Sequence, residues 1–229
     1  MAIIYGYPDS EINFLAELPK EVKSIDDIHE VHKEMKQEFD SIEDKGLGNK
    51  FSRWRKKRKI NKIEDNINSP LHRGAKGELK VLDKLSELSD DYHVMCGVDM
   101  DLGHYITYNR KRNLRSAQMD FIVVSKRGVI LIEAKNWSSR YIKDHTGISP
   151  NEQVDRAGRV LWISLKSSWW SPRNPRVTNV LLSIQAKMEY DYHYRFVNVK
   201  DLNNINYFIQ NREEQFSDKE VKRLVNRIW

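Results

Sequence analysis

The chain has 229 residues, of which 39% are hydrophobic and 31% are charged, and its formal net charge is +6. This composition is typical of a polar globular protein with one large or two small domains, and it excludes collagen-like, mucin-like and membrane-bundle classes. Apolar runs such as Phe121–Val124 are far shorter than the roughly 18 residues that span a bilayer. The N-terminus lacks the features of a signal peptide, and a single cysteine, Cys96, cannot form an internal disulfide. These features predict a cytoplasmic protein without a membrane partner.

The charged residues are distributed unevenly along the chain. From Asp9 to Asp44 there are 12 acidic and 4 basic residues, whereas Lys50 to Lys62 contains eight basic residues and no acid. A second basic cluster consists of Arg110, Lys111, Arg112 and Arg115. Such clusters are typical of a phosphate-binding surface, but an isolated run is equally typical of a solvated linker. For the run at 50–62 both interpretations remain open.

The first part of the chain is predicted to be helical. Ser24 followed by Asp27 resembles a capping box, and apolar residues then recur at helical spacing as far as Ile42. A helix over about residues 24–44 is therefore expected to pack on the main domain, to pair with a second copy, or to recruit a protein partner. We place the domain boundary near residue 70, so that 1–69 is a helical N-terminal extension with a basic linker and 70–229 is the main domain.

The main domain is predicted to mix helices and strands. The expected elements are a helix over Ala75–Ser89, strands over Tyr92–Met100, Gln118–Ser125 and Val129–Asn136, a helix over 151–166, strands over Val177–Ile184 and Tyr194–Val199, and helices over 201–211 and 217–228. Loops are expected over Asp101–Ser116 and Ser167–Arg176. This order predicts the α+β class, with a central mixed sheet flanked by helices.

Glu78 is an unusual residue on the first helix of this domain. Its helical phase places it between Val81 and Leu82, so the carboxylate is directed toward the interior with the apolar stripe. Buried glutamates are uncommon unless they are paired or bound to a metal. The alternative is a partly exposed glutamate that the helix dipole stabilises.

Two predicted strands bring further carboxylates together. The Lys-Arg-Gly turn between them predicts a register that pairs Val124 with Val129 and places Asp120 opposite Glu133, on the same face as Lys135. Opposed carboxylates repel each other, so they require a compensating cation. Lys135 supplies one positive charge, and a divalent metal would supply the rest. Carboxylates with Mg²⁺ suit phosphodiester hydrolysis, whereas a purely structural cluster neutralised by Lys135 is the alternative.

These residues also carry a family resemblance. The matching segments are Gly74-x-x-Gly77-Glu78, the run from Gln118 to Val124, the run from Gly128 to Asn136, and Gln153. Together they resemble the signature of the nuclease-related domain (NERD) family, a branch of the PD-(D/E)XK nuclease superfamily, over roughly residues 70–200. The resemblance implies a restriction-endonuclease-like core that binds Mg²⁺ or Mn²⁺. It also implies that Glu78, Asp120 and Glu133 are metal ligands, that Lys135 is the catalytic lysine, and that Gln153 is a supporting polar residue.

The predicted function is therefore metal-dependent hydrolysis of phosphodiester bonds in nucleic acid, with DNA as the favoured substrate. The basic cluster formed by Arg110, Lys111, Arg112 and Arg115 is expected to contact phosphates. Two alternatives remain open. One is a nucleic-acid-binding module of the same fold that does not cleave, and the other is an interaction protein that recruits partners through its N-terminal helix.

Overall fold

The computed structural model describes residues 1–43, 47–67, 69–166 and 175–229. These residues form two compact units: the larger consists of Met1–Pro8 and Lys80–Trp229, and the smaller of Asp9–Leu79. Within the described ranges, no helix is both long enough and apolar enough to cross a membrane. The first eight residues thus belong to the larger unit, whereas the domain boundary near residue 70 stays a prediction.

The larger unit contains a six-stranded sheet, counted over the described residues. Its strands, adjacent in chain order, are β1 (Ile3–Tyr5), β2 (His93–Tyr108), β3 (Lys111–Ser125), β4 (Gly128–Lys135), β5 (Val177–Ser183) and β6 (Val197–Asp201). β2, β3 and β4 pair antiparallel, whereas β1 pairs with β2, and β4, β5 and β6 pair with one another, in parallel. The sheet is mixed, as predicted.

Helices pack on both faces of this sheet. The helices within the described ranges are α1 (Asp9–Ala16), α2 (Ile28–Ser41), α3 (Leu47–Asn66), α4 (Pro70–Ser86), α5 (Ser139–Asp144), α6 (Pro150–Lys166), α7 (Ile205–Gln210) and α8 (Asp218–Ile228). One apolar cluster joins α6 and α8 to the sheet face that carries Ile122 and Leu131. The other joins the end of α4 and α7 to the face that carries Val123 and Ile130. Helices on both faces of a mixed sheet confirm the predicted α+β class.

The loop predicted over Asp101–Ser116 is wrong, because these residues extend β2 and β3 into a long hairpin. Asn109 and Arg110 form its two-residue turn, with φ angles of 45° and 64°. Positive φ at both central positions is the geometry that matches the twist of paired strands. Most side chains of the extension are exposed, and the few apolar residues that reach the core, such as Leu102, Ile106 and Leu114, are too widely spaced to mark it as strand.

Smaller differences concern the last strand and one loop. The strand predicted over Tyr194–Val199 is confirmed only for its last three residues, because β6 begins at Val197 and a 3₁₀ turn occupies Tyr192–Tyr194. Of the loop predicted over Ser167–Arg176, residues 167–174 lie outside the described part of the chain.

The smaller unit is built from α1, α2, α3 and the first part of α4. The sequence at 24–27 forms the predicted reciprocal bonds, because the backbone N–H of Ser24 donates to Asp27 Oδ1 and the N–H of Asp27 donates to Ser24 Oγ. The helix itself begins four residues after Ser24. Its apolar residues, such as Ile28 and Met35, are buried together with Ile63 of α3. The basic run at 50–62 therefore lies in helix α3 rather than in an extended linker.

Candidate active site

The two antiparallel strands β3 and β4 have the predicted register. Val124 pairs with Val129, and the ladder continues as far as Phe121 and Ile132. Asp120 therefore lies one position beyond the last backbone pair. Its Oδ2 accepts a hydrogen bond of 2.8 Å from the backbone N–H of Ala134. The Asp120 carboxylate is thus fixed against β4 next to residue 133.

Asp120 also lies at an irregular position in β3. Strict alternation would put positions 119 and 122 on opposite faces, but Met119 and Ile122 belong to the same apolar cluster. On β2, Gly97 has a φ of 59°, and it lies between the residues that pair with Phe121 and Met119. The backbone thus departs from regular strand geometry beside Asp120. This departure lets the half-buried carboxylate of Asp120 lie beside the apolar residues Met119 and Ile122.

Glu133 and Lys135 form an ion pair at the end of β4. They are two positions apart on a strand, so their side chains project from the same face. Lys135 Nζ donates to Glu133 Oε1 at 2.7 Å, with side-chain exposures of 13% and 3% respectively. The ammonium group also lies 5.7 Å from the centre of the Trp137 ring. Among the described residues, none donates a hydrogen bond to Glu133 Oε2, so one oxygen of this buried carboxylate is available to a ligand.

Trp137 is a neighbour that the sequence analysis did not assign to the site. It contacts Tyr141 edge to face, with ring centres 4.9 Å apart, and its ring lies near Lys135. The aromatic face attracts the lysine charge and restricts where the ammonium can move. The spacing Lys-x-Trp at a strand end is the only signal of this contact in the sequence.

Glu78 lies in the smaller unit and is buried, as its helical phase predicts, with 8% exposure. Both of its carboxylate oxygens accept hydrogen bonds from Ser10, one from the hydroxyl and one from the backbone N–H. Ser10 is in the first turn of α1, where N–H groups have no partner within the helix. Glu78 therefore caps α1. Nothing local in the sequence predicts this contact, because 68 residues separate the two positions.

No group of three or more histidine, cysteine, aspartate or glutamate side chains that could hold a metal ion occurs within the described residues. Gln153 is in the first turns of α6 with its side chain exposed. Two neighbouring acids on α6 accept hydrogen bonds from tyrosines, Glu152 from Tyr194 and Asp155 from Tyr108. The structure thus brings together Asp120, Glu133 and Lys135, and it does not add Gln153 to them by a hydrogen bond.

The four basic residues predicted to contact nucleic acid lie on the β2–β3 hairpin. Arg110 is in the turn, and Lys111 and Arg112 follow it with exposed side chains. Arg115 differs, because its Nε is 2.9 Å from Asp101 Oδ1 on the opposite strand. This hydrogen bond lowers the pKa of Asp101 and compensates the arginine charge. The uncompensated positive charge is therefore concentrated at the hairpin tip.

Comparison with known families identifies this architecture. Residues 73–182 match the family model described as Nuclease-related domain, NERD. The chain contains a nuclease-related domain. The match confirms the predicted resemblance, and it runs from α4 through the sheet to the end of β5, so that it includes every predicted catalytic position from Glu78 to Gln153. No curated protein and no solved structure matches the chain.

Proposed function

We propose that this chain is a metal-dependent nuclease that hydrolyses phosphodiester bonds in nucleic acid, with DNA as its substrate. The observation that carries the proposal is the buried Glu133–Lys135 pair with Asp120 bound to the adjacent backbone N–H, within a nuclease-related domain. Buried ionised groups are costly to desolvate and are concentrated at functional sites. A fold that needed only packing at this position would be served by apolar residues.

The donor atoms of this site fit a hard divalent cation. Mg²⁺ binds carboxylate oxygens, usually through one or two protein carboxylates together with water and phosphate oxygens. Asp120 and Glu133 would hold the ion, and Oε2 of Glu133 is the oxygen that Lys135 does not use. The resemblance adds Glu78 as a third ligand, although this carboxylate caps α1 in the structure. When bound, Mg²⁺ or Mn²⁺ lowers the pKa of a coordinated water and neutralises charge on the phosphate.

The remaining chemistry is assigned to side chains of the chain. Lys135 Nζ can donate a hydrogen bond to a phosphate oxygen or to the attacking water, because its position is already set by Glu133 and Trp137. Its charge opposes the negative charge that develops in the transition state. Gln153, exposed on α6, would contribute a polar contact to substrate rather than to the metal.

The hairpin cations support binding of the phosphate backbone. Arg110, Lys111 and Arg112 are exposed at the tip, and each phosphate contact that they make would release counterions. The salt dependence of affinity measures this number of contacts. Alanine at these three positions should flatten the log–log slope by about 2–3 for duplex DNA. A slope equal to that of the wild type would show that these three residues do not contact phosphates.

The decisive experiment is a cleavage assay on the full chain. Labelled single-stranded and duplex DNA and RNA are incubated with Mg²⁺, Mn²⁺ or EDTA, and Lys135→Met is compared with Lys126→Met. Lys126 is a matched control because it pairs with Asp218 at 2.8 Å on the surface of the same unit. We expect cleavage only with metal and a loss of about 100-fold or more in Lys135→Met alone. Undiminished cleavage in EDTA would disprove the metal mechanism.

A non-cleaving nucleic-acid-binding module is the second candidate. It is favoured by the capping role of Glu78 and by the lack of a three-carboxylate cluster among the described residues. Retained DNA binding without metal-dependent cleavage of any substrate would establish it. Recruitment of a protein partner or homodimerisation through α2 is a further proposal, but the buried apolar residues of that helix already pack inside the smaller unit.

A further inference from the structure

Helix α3 presents a continuous stripe of aromatic and basic side chains to solvent. Phe51, Trp54, Arg55, Arg58 and Lys62 lie on one side of the helix, because each of them is three or four residues from at least one other member of the set. The opposite side carries Ile60 and Ile63, which are buried in the core of the smaller unit. We name these five exposed residues the α3 stripe. The core fixes which side of α3 is exposed, so the stripe is a defined surface.

The two rings of the α3 stripe are exposed and held in place by their neighbours. Phe51 is 58% exposed and Trp54 is 52% exposed, and their centroids lie 5.8 Å apart at an interplanar angle of 24°. Arg55 lies over Phe51 and Arg58 over Trp54, at 5.4 Å and 4.9 Å. These contacts orient the rings before any ligand arrives. Neither ring belongs to the apolar core formed by the described residues of this unit.

The cations of α3 fall into two groups, apart from Arg53, which donates a hydrogen bond to the backbone oxygen of Ile42. Lys56 pairs with Glu38 of α2, and Lys59 pairs with Glu21, so the acidic segment before α3 neutralises the flank of the helix. Within the described residues, no acid pairs with the cations on or beside the stripe, which are Lys50, Arg55, Lys57, Arg58 and Lys62. The positive charge that remains is therefore concentrated around the two rings.

We propose that the α3 stripe binds single-stranded nucleic acid, with bases stacked on Phe51 and Trp54 and phosphates paired with the surrounding cations. Aromatic rings alternating with cations are the arrangement that recognises unpaired strands, since every base has a face that can stack. Bases in a duplex are already stacked on each other, so their faces are not available to Phe51 and Trp54. A membrane-binding helix would separate apolar and basic residues onto different faces, whereas here they share one face.

This inference rests on the proposed function only for the choice of nucleic acid as the partner. The α3 stripe supplies affinity for a strand, and the site on β3 and β4 supplies cleavage. The two properties can therefore fail separately. Binding can be measured in EDTA, which removes the metal and so prevents the proposed cleavage.

The test compares the full chain with three variants in fluorescence anisotropy, using labelled oligothymidylate in EDTA at several salt concentrations. Phe51→Ala with Trp54→Ala removes the rings, and Arg55→Ala with Arg58→Ala removes two free cations. Lys56→Ala with Lys59→Ala removes the same charge from the same helix at paired positions, so it is the matched control. We expect the ring variant to lose at least about 5-fold in affinity per ring. The arginine variant should lower the salt slope by about 1.4, and the control should retain a near wild-type slope.

The other outcomes overturn the proposal. If the ring variant binds oligothymidylate as tightly as the wild type, or loses duplex binding equally, bases do not stack on the stripe. If the variants lose binding to phosphatidylserine vesicles and keep oligothymidylate affinity, the surface belongs to a membrane. Cleavage with Mg²⁺, measured beside these assays with Lys135→Met, reports on the proposed function alone. Circular dichroism checks that each variant is folded, as expected for exposed positions.

Discussion

The ion pair between Lys135 and Glu133 gives the sharpest test of the proposed site. Lys135→Met removes the ammonium charge and keeps an unbranched apolar side chain of similar length, so that packing near Trp137 is preserved. The change leaves the Glu133 carboxylate at 3% exposure without its partner, 2.7 Å from where the nitrogen was. Removing one member of a buried pair leaves an uncompensated charge, which costs about 3–5 kcal/mol.

The lower end of this range applies here, because Lys135 keeps 13% exposure and water can approach the vacated position. We therefore expect a loss of about 3 kcal/mol in the free energy of unfolding, measured in EDTA. For a chain of this size, that loss lowers the melting temperature by about 6–12 °C. Lys126→Met should leave the melting temperature nearly unchanged, because its partner Asp218 is 84% exposed and solvent screens the pair.

Thermal melts of the wild type and both variants, with EDTA and with excess Mg²⁺, complete the experiment. A bound cation supplies the charge that Lys135→Met lacks, so Mg²⁺ should recover part of the lost stability in this variant while cleavage stays absent. A ligand that binds only the folded state stabilises it by about 2.7 kcal/mol at one hundred times its dissociation constant. Two results would refute the reasoning: equal melting of Lys135→Met and wild type in EDTA, or no response to Mg²⁺ in either protein.

Three further predictions follow from single contacts. Asp120→Asn can still accept the hydrogen bond from Ala134, so the free energy of unfolding in EDTA should change by less than about 1 kcal/mol. Stabilisation by Mg²⁺ and cleavage should both be lost, and an unchanged Mg²⁺ response in thermal melts would show that Asp120 is not a metal ligand. Burial lowers the pKa of His72 below its usual value of 6.5, so the unfolded chain binds the proton more tightly and the free energy of unfolding should fall as pH drops through 6.5. Denaturant titrations of His72→Phe should show a weaker decline with pH, and a decline equal to that of the wild type would contradict the prediction. In Gly158→Ala the new Cβ would lie 2.0 Å from Asn179 Oδ1, so a loss of about 1–3 kcal/mol is expected, and an unchanged melting temperature would show that the helix can shift.

Much of the sheet around the site could be predicted from local patterns. The β3–β4 register follows from the Lys-Arg-Gly turn, in which Gly128 adopts a φ of 127°. Alternating apolar residues then specify which face of each strand is buried, and a shift of one residue would expose the whole set. The prediction of α4 rests on its apolar side, formed by residues such as Val81, Leu85 and Leu88, and that of α6 on Pro150 at its start. These signals arise between residues that are close in the chain.

The interactions that were not predicted join distant or solvated segments. Strand β1 pairs with β2 about ninety positions later, as in Ile3 with His93, and three residues are too few to show a period. Most side chains of the long hairpin are exposed, and only a few, such as Tyr108 and Leu114, reach the apolar core, so its strand geometry depends largely on cross-strand hydrogen bonds. Glu78 had the predicted burial, but its partner Ser10 is set by the position of α1.

The sequence by itself determined the fold class, the family resemblance and the set of candidate catalytic residues, because each of these depends on short motifs and local periodicity. Tertiary structure alone decided how those residues are used. The alternation of β3 is interrupted at Asp120, Lys135 forms an ion pair with Glu133, and the carboxylate oxygens of Glu78 accept hydrogen bonds from Ser10 of α1. The sequence alone does not show whether a carboxylate binds a metal, pairs with a lysine or caps a helix. Which partner it obtains is determined by the packing of segments far apart in the chain, where burial makes an unpaired charge too costly to leave.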